Sequence, residues 1–348
     1  WLFSWDNYTK PLDSGVEIIV AVIDSGVDYL HPDLIDKMWI NPSCAHLNCR
    51  QHYIDGLSIN DMNTQSAYVD CIEQCSFGYH GLGCANDVGP YGTINGMDSF
   101  GHGSHCAGIA AADVNNDHGI AGICPNCKIM TLQIFKDSST TGFCGYSSVY
   151  QAQQYALDYG AKVTSNSWGG GGYSTTIEDY WMQLYSAGTI NVTAAGNDTT
   201  NISSTPYWPA CYGSYAGTPM ENMTLSVMCT RNDGDGCSFT NYGSGPGCKT
   251  FVSAPGWNIG SIQMWSNPWG DDAYNEYGTN DPDSGITFIS GTSMACPLVA
   301  GLAGLLYSLY PGLSNEDIIN SIAGGAENTD DLLSYMYTDN YDGDDCIE

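Results

Sequence analysis

The sequence predicts an α/β domain: a doubly wound, mostly parallel sheet flanked by helices and stabilised by disulfides. Three observations predict it. Continuous apolar runs of strand length end in polar residues, a helix-like segment lies between two of them, and 15 cysteines occur in 348 residues. Runs that stay apolar without alternation belong to strands buried on both faces, and strands alternating with helical segments give parallel crossovers. Cysteine usage at this level belongs to an oxidising compartment, where disulfides persist.

The first run, Glu17 to Asp24, ends in a carboxylate and then Gly26, as a central strand does at the carboxyl edge of its sheet. From about 41 to 99 the chain turns polar, Gly-containing and cysteine-rich, with little periodicity, which reads as a long inserted loop cross-linked on itself. Further strand-like runs follow at Lys128 to Phe135, Ala161 to Ser167 and Thr189 to Ala195. A helix-like segment spans Ser147 to Tyr159. The most apolar stretch, Met294 to Tyr310, is shorter than a bilayer span and contains Pro297, so it predicts a buried helix with no membrane anchor. An acidic tail occupies about 326 to 348, and no linker divides the chain, so 1–348 reads as one domain. The start at Trp1 shows no signal-peptide pattern and reads as a processed form.

Eight Lys plus Arg against 38 Asp plus Glu give a formal charge of −30, which repels nucleic acid and anionic lipid. Cys124-Pro-Asn-Cys127 has zinc-like spacing, but no second pair with nearby His follows it. An odd cysteine count leaves at least one thiol without an internal partner, and the resemblance drawn below makes Cys106 the candidate.

Three segments place a reactive group in an unusual backbone setting. In Val22-Ile-Asp24-Ser-Gly-Val27 a carboxylate ends a buried strand, where it needs a partner: an imidazole, a helix end or a metal. In Gly101-His-Gly-Ser-His-Cys-Ala-Gly108 glycines flank His102 and allow another chain to come close, which a plain core histidine does not require. In Ser290-Gly-Thr-Ser-Met-Ala-Cys-Pro297 a Gly turn leads into the apolar helix with Ser293 at its amino end. That serine is either an N-cap or a nucleophile beside free amides that favour an oxyanion.

Together these segments resemble the subtilisin-like serine protease family, whose signatures run in the same order Asp, His, Ser. The resemblance covers roughly Val16 to Gly325 and includes His31-Pro-Asp-Leu34, Ala194-Ala-Gly-Asn197, Ala254-Pro-Gly256 and Leu309-Tyr-Pro-Gly-Leu-Ser-Asn-Glu. It implies a serine endopeptidase acting through an acyl-enzyme. Ser293 would be the nucleophile, His102 the base then acid, Asp24 its orienting carboxylate and Asn197 the oxyanion donor. His105 would be the non-catalytic partner in the motif. Ser167, Trp168 and Gly169 resemble the family's substrate-binding strand and, with Ala194, Ala195 and Gly196, the walls of the first specificity pocket. Tyr207 falls near the pocket floor, where it would shorten the pocket, unless it is simply core. Asp198 at the rim argues instead for a basic side chain, and the two cues conflict.

The resemblance further implies structural Ca2+, with Asp33 and Asn116 as side-chain ligands and the carbonyls of Val114, His118 and Ile120 completing the site, in a loop one residue longer than the common pattern. It implies a secreted enzyme made as a zymogen with an amino-terminal prosegment as inhibitor, acting on protein or peptide substrates. Asn7, Asn201 and Asn222 are candidate glycosylation acceptors, whereas Asn191 lies on a buried strand and a glycan on Asn197 would block the site. The departures are Ser104 for the usual Thr, Leu298 where His often follows the Pro, a closing segment not recognisable after Gly325, and the cysteine-rich insertion. The rival reading, a catalytically silent relative that binds proteins through its groove, would normally lack one of the four site residues, and all four are present.

Overall fold

The computed structural model describes residues 16–29, 31–39, 98, 100–116, 119–135, 145–213, 223–243, 248–264 and 285–326. Apart from Asp98, the expected insertion lies outside the described residues, as does nearly all of the expected tail. Six strands form one parallel sheet: β1 (Ile18–Asp24), β2 (Cys127–Gln133), β3 (Val163–Asn166), β4 (Ile190–Ala194), β5 (Thr224–Thr230) and β6 (Val252–Pro255). Their order is β2-β1-β3-β4-β5-β6, so the chain reverses direction across the sheet beside β1. Ligands of such sheets bind beyond the carboxyl ends at that switch point, which is where Asp24 stands.

Adjacent residues of β1 feed two separate cores. Val20 and Val22 pack beneath α1 (His102–Ala111), α4 (Thr292–Leu309) and α5 (Asn315–Gly325), while Ala21 and Ile23 face α2 (Tyr146–Asp158) and α3 (Thr175–Ser186). This division explains why the run never alternates: both faces of β1 are covered. The expected strands and α2 thus form within one or two residues of their predicted ends. The antiparallel pair β7 (Ile259–Ile262) and β8 (Ile286–Ile289) was not foreseen, since four-residue runs carry too little periodicity.

Among the described residues α4 is the one helix long and apolar enough to cross a membrane, and 72% of it is buried inside the protein. Disulfides join Cys124 to Cys127, Cys211 to Cys248 and Cys229 to Cys237, so the pair with zinc-like spacing is oxidised instead. Cys106 and Cys296 are free and buried.

Candidate active site

Asp24 is 1% exposed at the end of β1. Its Oδ1 accepts from His102 Nδ1 at 2.8 Å and from the Ser25 amide at 2.7 Å, and its Oδ2 has no partner among the described residues. Burial opposes charging of His102, but the Asp24 charge and hydrogen bond, with Cys106 beside the ring, hold the imidazole pKa well above its usual value. With Nδ1–H committed to the carboxylate, Nε2 of the neutral ring is the basic atom.

His102 opens α1 behind Gly101, whose φ of 92° is left-handed. A Cβ on Gly103 would lie 2.0 Å from the Gly26 carbonyl oxygen and 3.1 Å from Asp24 Cβ. Glycine at this position is what lets the helix start press against the end of β1. Asp98, which sequence reasoning missed, fixes that contact from below. Its Oδ1 accepts from Ser25 Oγ (2.9 Å), Phe100 N (3.0 Å) and Gly101 N (2.9 Å). Its Oδ2 accepts from Ser104 N (2.8 Å) and Ser104 Oγ (2.7 Å). Ser25 Oγ in turn accepts from Gly103 N at 2.9 Å. Burial raises the Asp98 pKa while these donors oppose the rise. An acidic residue just before a Gly-flanked helix start is a readable signal. Here it sat inside a stretch that looked like a solvated loop. Ser104, the departure from the usual Thr, supplies the same hydroxyl, which also accepts from Asp28 N at 2.8 Å.

His105 is the bland member of its motif. It is fully buried, and its Nε2 donates to the carbonyls of Ile259 (3.1 Å) and Thr287 (3.2 Å), joining α1 to β7 and β8. Burial and the neighbouring His102 lower its pKa to about 4.

Gly291 caps α4, so Ser293 is its second residue and not the N-cap. Ser293 Oγ donates to the Ser167 carbonyl at 3.3 Å, and no described hydrogen bond joins it to His102. Pro297, four residues on, has no N–H and so leaves the Ser293 carbonyl without its helical donor. Ser167 Oγ (2.8 Å) and Cys106 Sγ (3.4 Å) donate to it instead. One proline thereby couples α4 to α1 and to the segment after β3. Burial raises the pKa of both free thiols, Cys296 to about 12, so neither is a ready nucleophile.

Asn197 follows β4, and its Oδ1 accepts from Thr292 N and Thr292 Oγ1, each at 2.9 Å. Those bonds fix which way the amide points. A Cβ on Gly291 would sit 3.5 Å from Ser293 N and 3.6 Å from Asn197 Nδ2, so two donor nitrogens lie close together beside the serine. Ser167, Trp168 and Gly169 leave β3, and Ala194, Ala195 and Gly196 leave the adjacent β4, so the two segments emerge side by side. Tyr207 is brought to them by the Gly170 amide, which donates to the Trp208 carbonyl at 2.8 Å.

Asp33 is fully buried, with Asn116 Nδ2 at 2.7 Å from Oδ1 and the Ile120 amide at 2.8 Å from Oδ2. The loop wraps so closely that a Cβ on Gly119 would lie 1.8 Å from Asp33 Oδ2. A carboxylate and an amide side chain that can turn its oxygen inward are part of the donor chemistry a hard cation takes, although here both Asp33 oxygens accept from N–H groups. Val114 lies in the same loop, while His118 is outside the described residues. Among the described residues the one cluster of three His, Cys or carboxylate side chains, Asp24, His102 and Cys106, is already bonded internally. Asn191 is fully buried and bonded to Thr164, Trp181 and Met223, which leaves no room for a glycan. Asn201 is half-buried, and Asn7 and Asn222 lie outside the described residues.

The Subtilase family profile matches residues 15–337. A thermophilic serine proteinase of Bacillus sp. (strain AK1) is 35% identical over 332 residues, covering 95% of this chain and 60% of that protein. Thermitase of Thermoactinomyces vulgaris is 36% identical over 315 residues, covering 90% of this chain and 81% of thermitase. The chain therefore spans less than two thirds of the first relative's length. A solved cold adapted subtilisin-like serine proteinase superposes with a TM-score of 0.62 at 22% identity, covering 93% of this chain and 86% of its own, which bears on the fold alone.

Proposed function

The chain belongs to the subtilase family, and from that premise we propose that it is the catalytic domain of a secreted serine endopeptidase with Asp24, His102 and Ser293 as its triad. The observation that carries the reading is that Ser293 N and Asn197 Nδ2 both lie beside Gly291, next to the serine, with Asn197 Oδ1 already taken by Thr292. A protein that only bound partners would need neither donor there. A peptide enters extended along Ser167 to Gly170, pairing through main-chain bonds. The Ser293 hydroxyl then leaves the Ser167 carbonyl and attacks the scissile carbonyl as His102 Nε2 takes its proton. Asp24 steadies the imidazolium through Nδ1–H, and Ser293 N and Asn197 Nδ2 receive the oxyanion. His102 returns the proton to the leaving amine, and water then releases the acyl group by the same path in reverse roles.

Calcium, in this reading, is held by Asp33 and Asn116 with the carbonyls of Val114, His118 and Ile120, and it braces the loop that follows α1. Chelation should lower the melting temperature of the wild type and leave that of Asp33→Ala unmoved. An amino-terminal segment of the precursor lies in the groove as inhibitor, and the disulfides suit secretion. Digestion of a mixed peptide library at neutral pH with calcium, cleavage sites being read by mass, tests the function. Cleavage by the chain and none by Ser293→Ala is the expected result. Equal cleavage by both, or none by the folded chain, sinks it.

A further inference from the structure

We infer that Tyr207 closes the first specificity pocket, so that this enzyme cleaves after small residues, glycine, alanine or serine, and not after large apolar or basic ones. The inference rests on the peptidase reading above. A Cβ on Gly169 would lie 2.2 Å from Tyr207 Cε1 and 2.8 Å from its hydroxyl, and one on Gly196 would lie 2.2 Å from Asn241 Nδ2 and 3.0 Å from both Tyr207 Cε1 and Cζ. One edge of the phenol ring thus lies against both of the segments that leave β3 and β4. The gap between those segments adjoins the reacting centre on both sides. Gly169 lies two residues past Ser167, whose carbonyl accepts from Ser293 Oγ, and Gly196 immediately precedes Asn197. On the peptidase reading, the acyl-side residue of a bound peptide, with its carbonyl oxygen near Ser293 N and Asn197 Nδ2, directs its side chain toward this gap.

The ring is held there from behind. The Tyr207 amide donates to Cys211 Sγ at 3.1 Å, the Cys211 amide donates to the Tyr207 carbonyl at 3.0 Å, and Cys211 is disulfide-bonded to Cys248. Next to it Trp208 packs on Tyr212 and Tyr173, with ring centroids 4.8 and 5.1 Å apart. Burial, then the Asp198 charge, pushes the phenol pKa to about 12, so the hydroxyl stays neutral at working pH. Asp198 itself is exposed, and a lysine or arginine entering the gap would have to displace the ring to approach it. The ring therefore overrides the attraction that Asp198 offers a basic residue.

The test is kcat/KM on peptides that differ only in the acyl-side residue (Ala, Leu, Phe or Lys), measured for the wild type, Ser293→Ala, Tyr207→Ala and Tyr207→Phe. The wild type should prefer Ala over Phe and Lys by at least about tenfold, the scale a pocket wall imposes. Tyr207→Ala should raise the Phe-to-Ala ratio by at least about tenfold, and Tyr207→Phe, which keeps the ring, should hold the wild-type ratio. Wild-type cleavage after Phe, Leu or Lys as efficient as after Ala overturns the inference whether or not the variants fold. So does an unchanged ratio in Tyr207→Ala, with Tyr207→Ser as the replacement if the alanine variant lacks native circular dichroism. Hydrolysis that survives in Ser293→Ala, or none by the wild type, instead removes the peptidase reading beneath it.

Discussion

The two halves of the site are built in opposite ways. The Asp24–His102 half rests on buried carboxylates and many bonds, with His102 itself 21% exposed: Asp98 alone takes five donors, and Ser25 links it to both the end of β1 and the first turn of α1. On the Ser293–Asn197 half, Asn197 is exposed, Ser293 is half-buried, and the Asn197 side-chain oxygen is held by Thr292. On the proposed function the difference follows from the chemistry each half would do. An imidazole base has to be kept in one tautomer at one angle, which needs a rigid setting, whereas oxyanion donors must stay free until charge develops on the substrate.

Removing groups from the exposed half should therefore cost chemistry and little stability. Ser293→Ala should lower kcat by on the order of 10⁶, with a melting temperature close to wild type. A fall of less than a hundredfold, measured with burst-free initial rates, would mean that the reacting atom lies elsewhere. Next in size, Asn197→Ala should cost on the order of 10² to 10³ in kcat at nearly constant KM, because the amide contributes only once the oxyanion forms. A rise in KM at constant kcat would make Asn197 a ground-state contact and weaken the contrast between the halves.

The buried half should instead fail through stability, and acid is the lever. His105 titrates near 4 in the folded protein against 6.5 for a free imidazole. Between those values the unfolded chain binds a proton that the folded one refuses, so stability rises with pH there and is lost as pH falls from about 6.5 towards 4. The loss is on the order of 3 kcal/mol. Chemical denaturation at several pH values should show that loss reduced in His105→Gln. An identical pH dependence in the two proteins would assign the acid sensitivity to other groups.

These expectations also mark how far the sequence could be read. Asp24, His102 and Ser293 could be proposed from the sequence because each stands at a break in an apolar pattern, a strand end or a Gly-flanked helix start, and the structure places them at those ends. The alternation of strands and α2 was legible for the same reason. What stayed hidden depends on partners far apart in the chain. Asp98 bonds Ser25 across 73 residues, and the Ser293 carbonyl meets Ser167 across 126. Tyr207 could be placed near the pocket from its neighbours, but its contacts with Gly169 and Gly196, on which the pocket proposal rests, come from segments 27 residues apart along the chain and could not be read locally. β7 and β8 were missed because their order comes from pairing and from His105, not from a pattern of their own.

Asp98 provides the smallest and sharpest break in the comparison, because it touches neither substrate nor the reacting atoms. Asp98→Asn keeps the shape but turns one oxygen into an NH2 facing donors, either Ser25 Oγ, Phe100 N and Gly101 N or the Ser104 pair. The first turn of α1 must then shift to relieve that contact, and His102 moves with it relative to Asp24. A displacement of that kind should cost up to on the order of 10² in kcat while KM stays near wild type, since the peptide binds along Ser167 to Gly170. Because the Nδ1 bond to Asp24 sets the basicity of His102, the acid limb of the kcat/KM profile should also move to lower pH, which simple loss of stability would not produce. A variant that melts earlier but keeps kcat and the acid limb would reduce Asp98 to scaffolding. The buried half would then owe its geometry to Asp24, Ser25 and Gly103 alone.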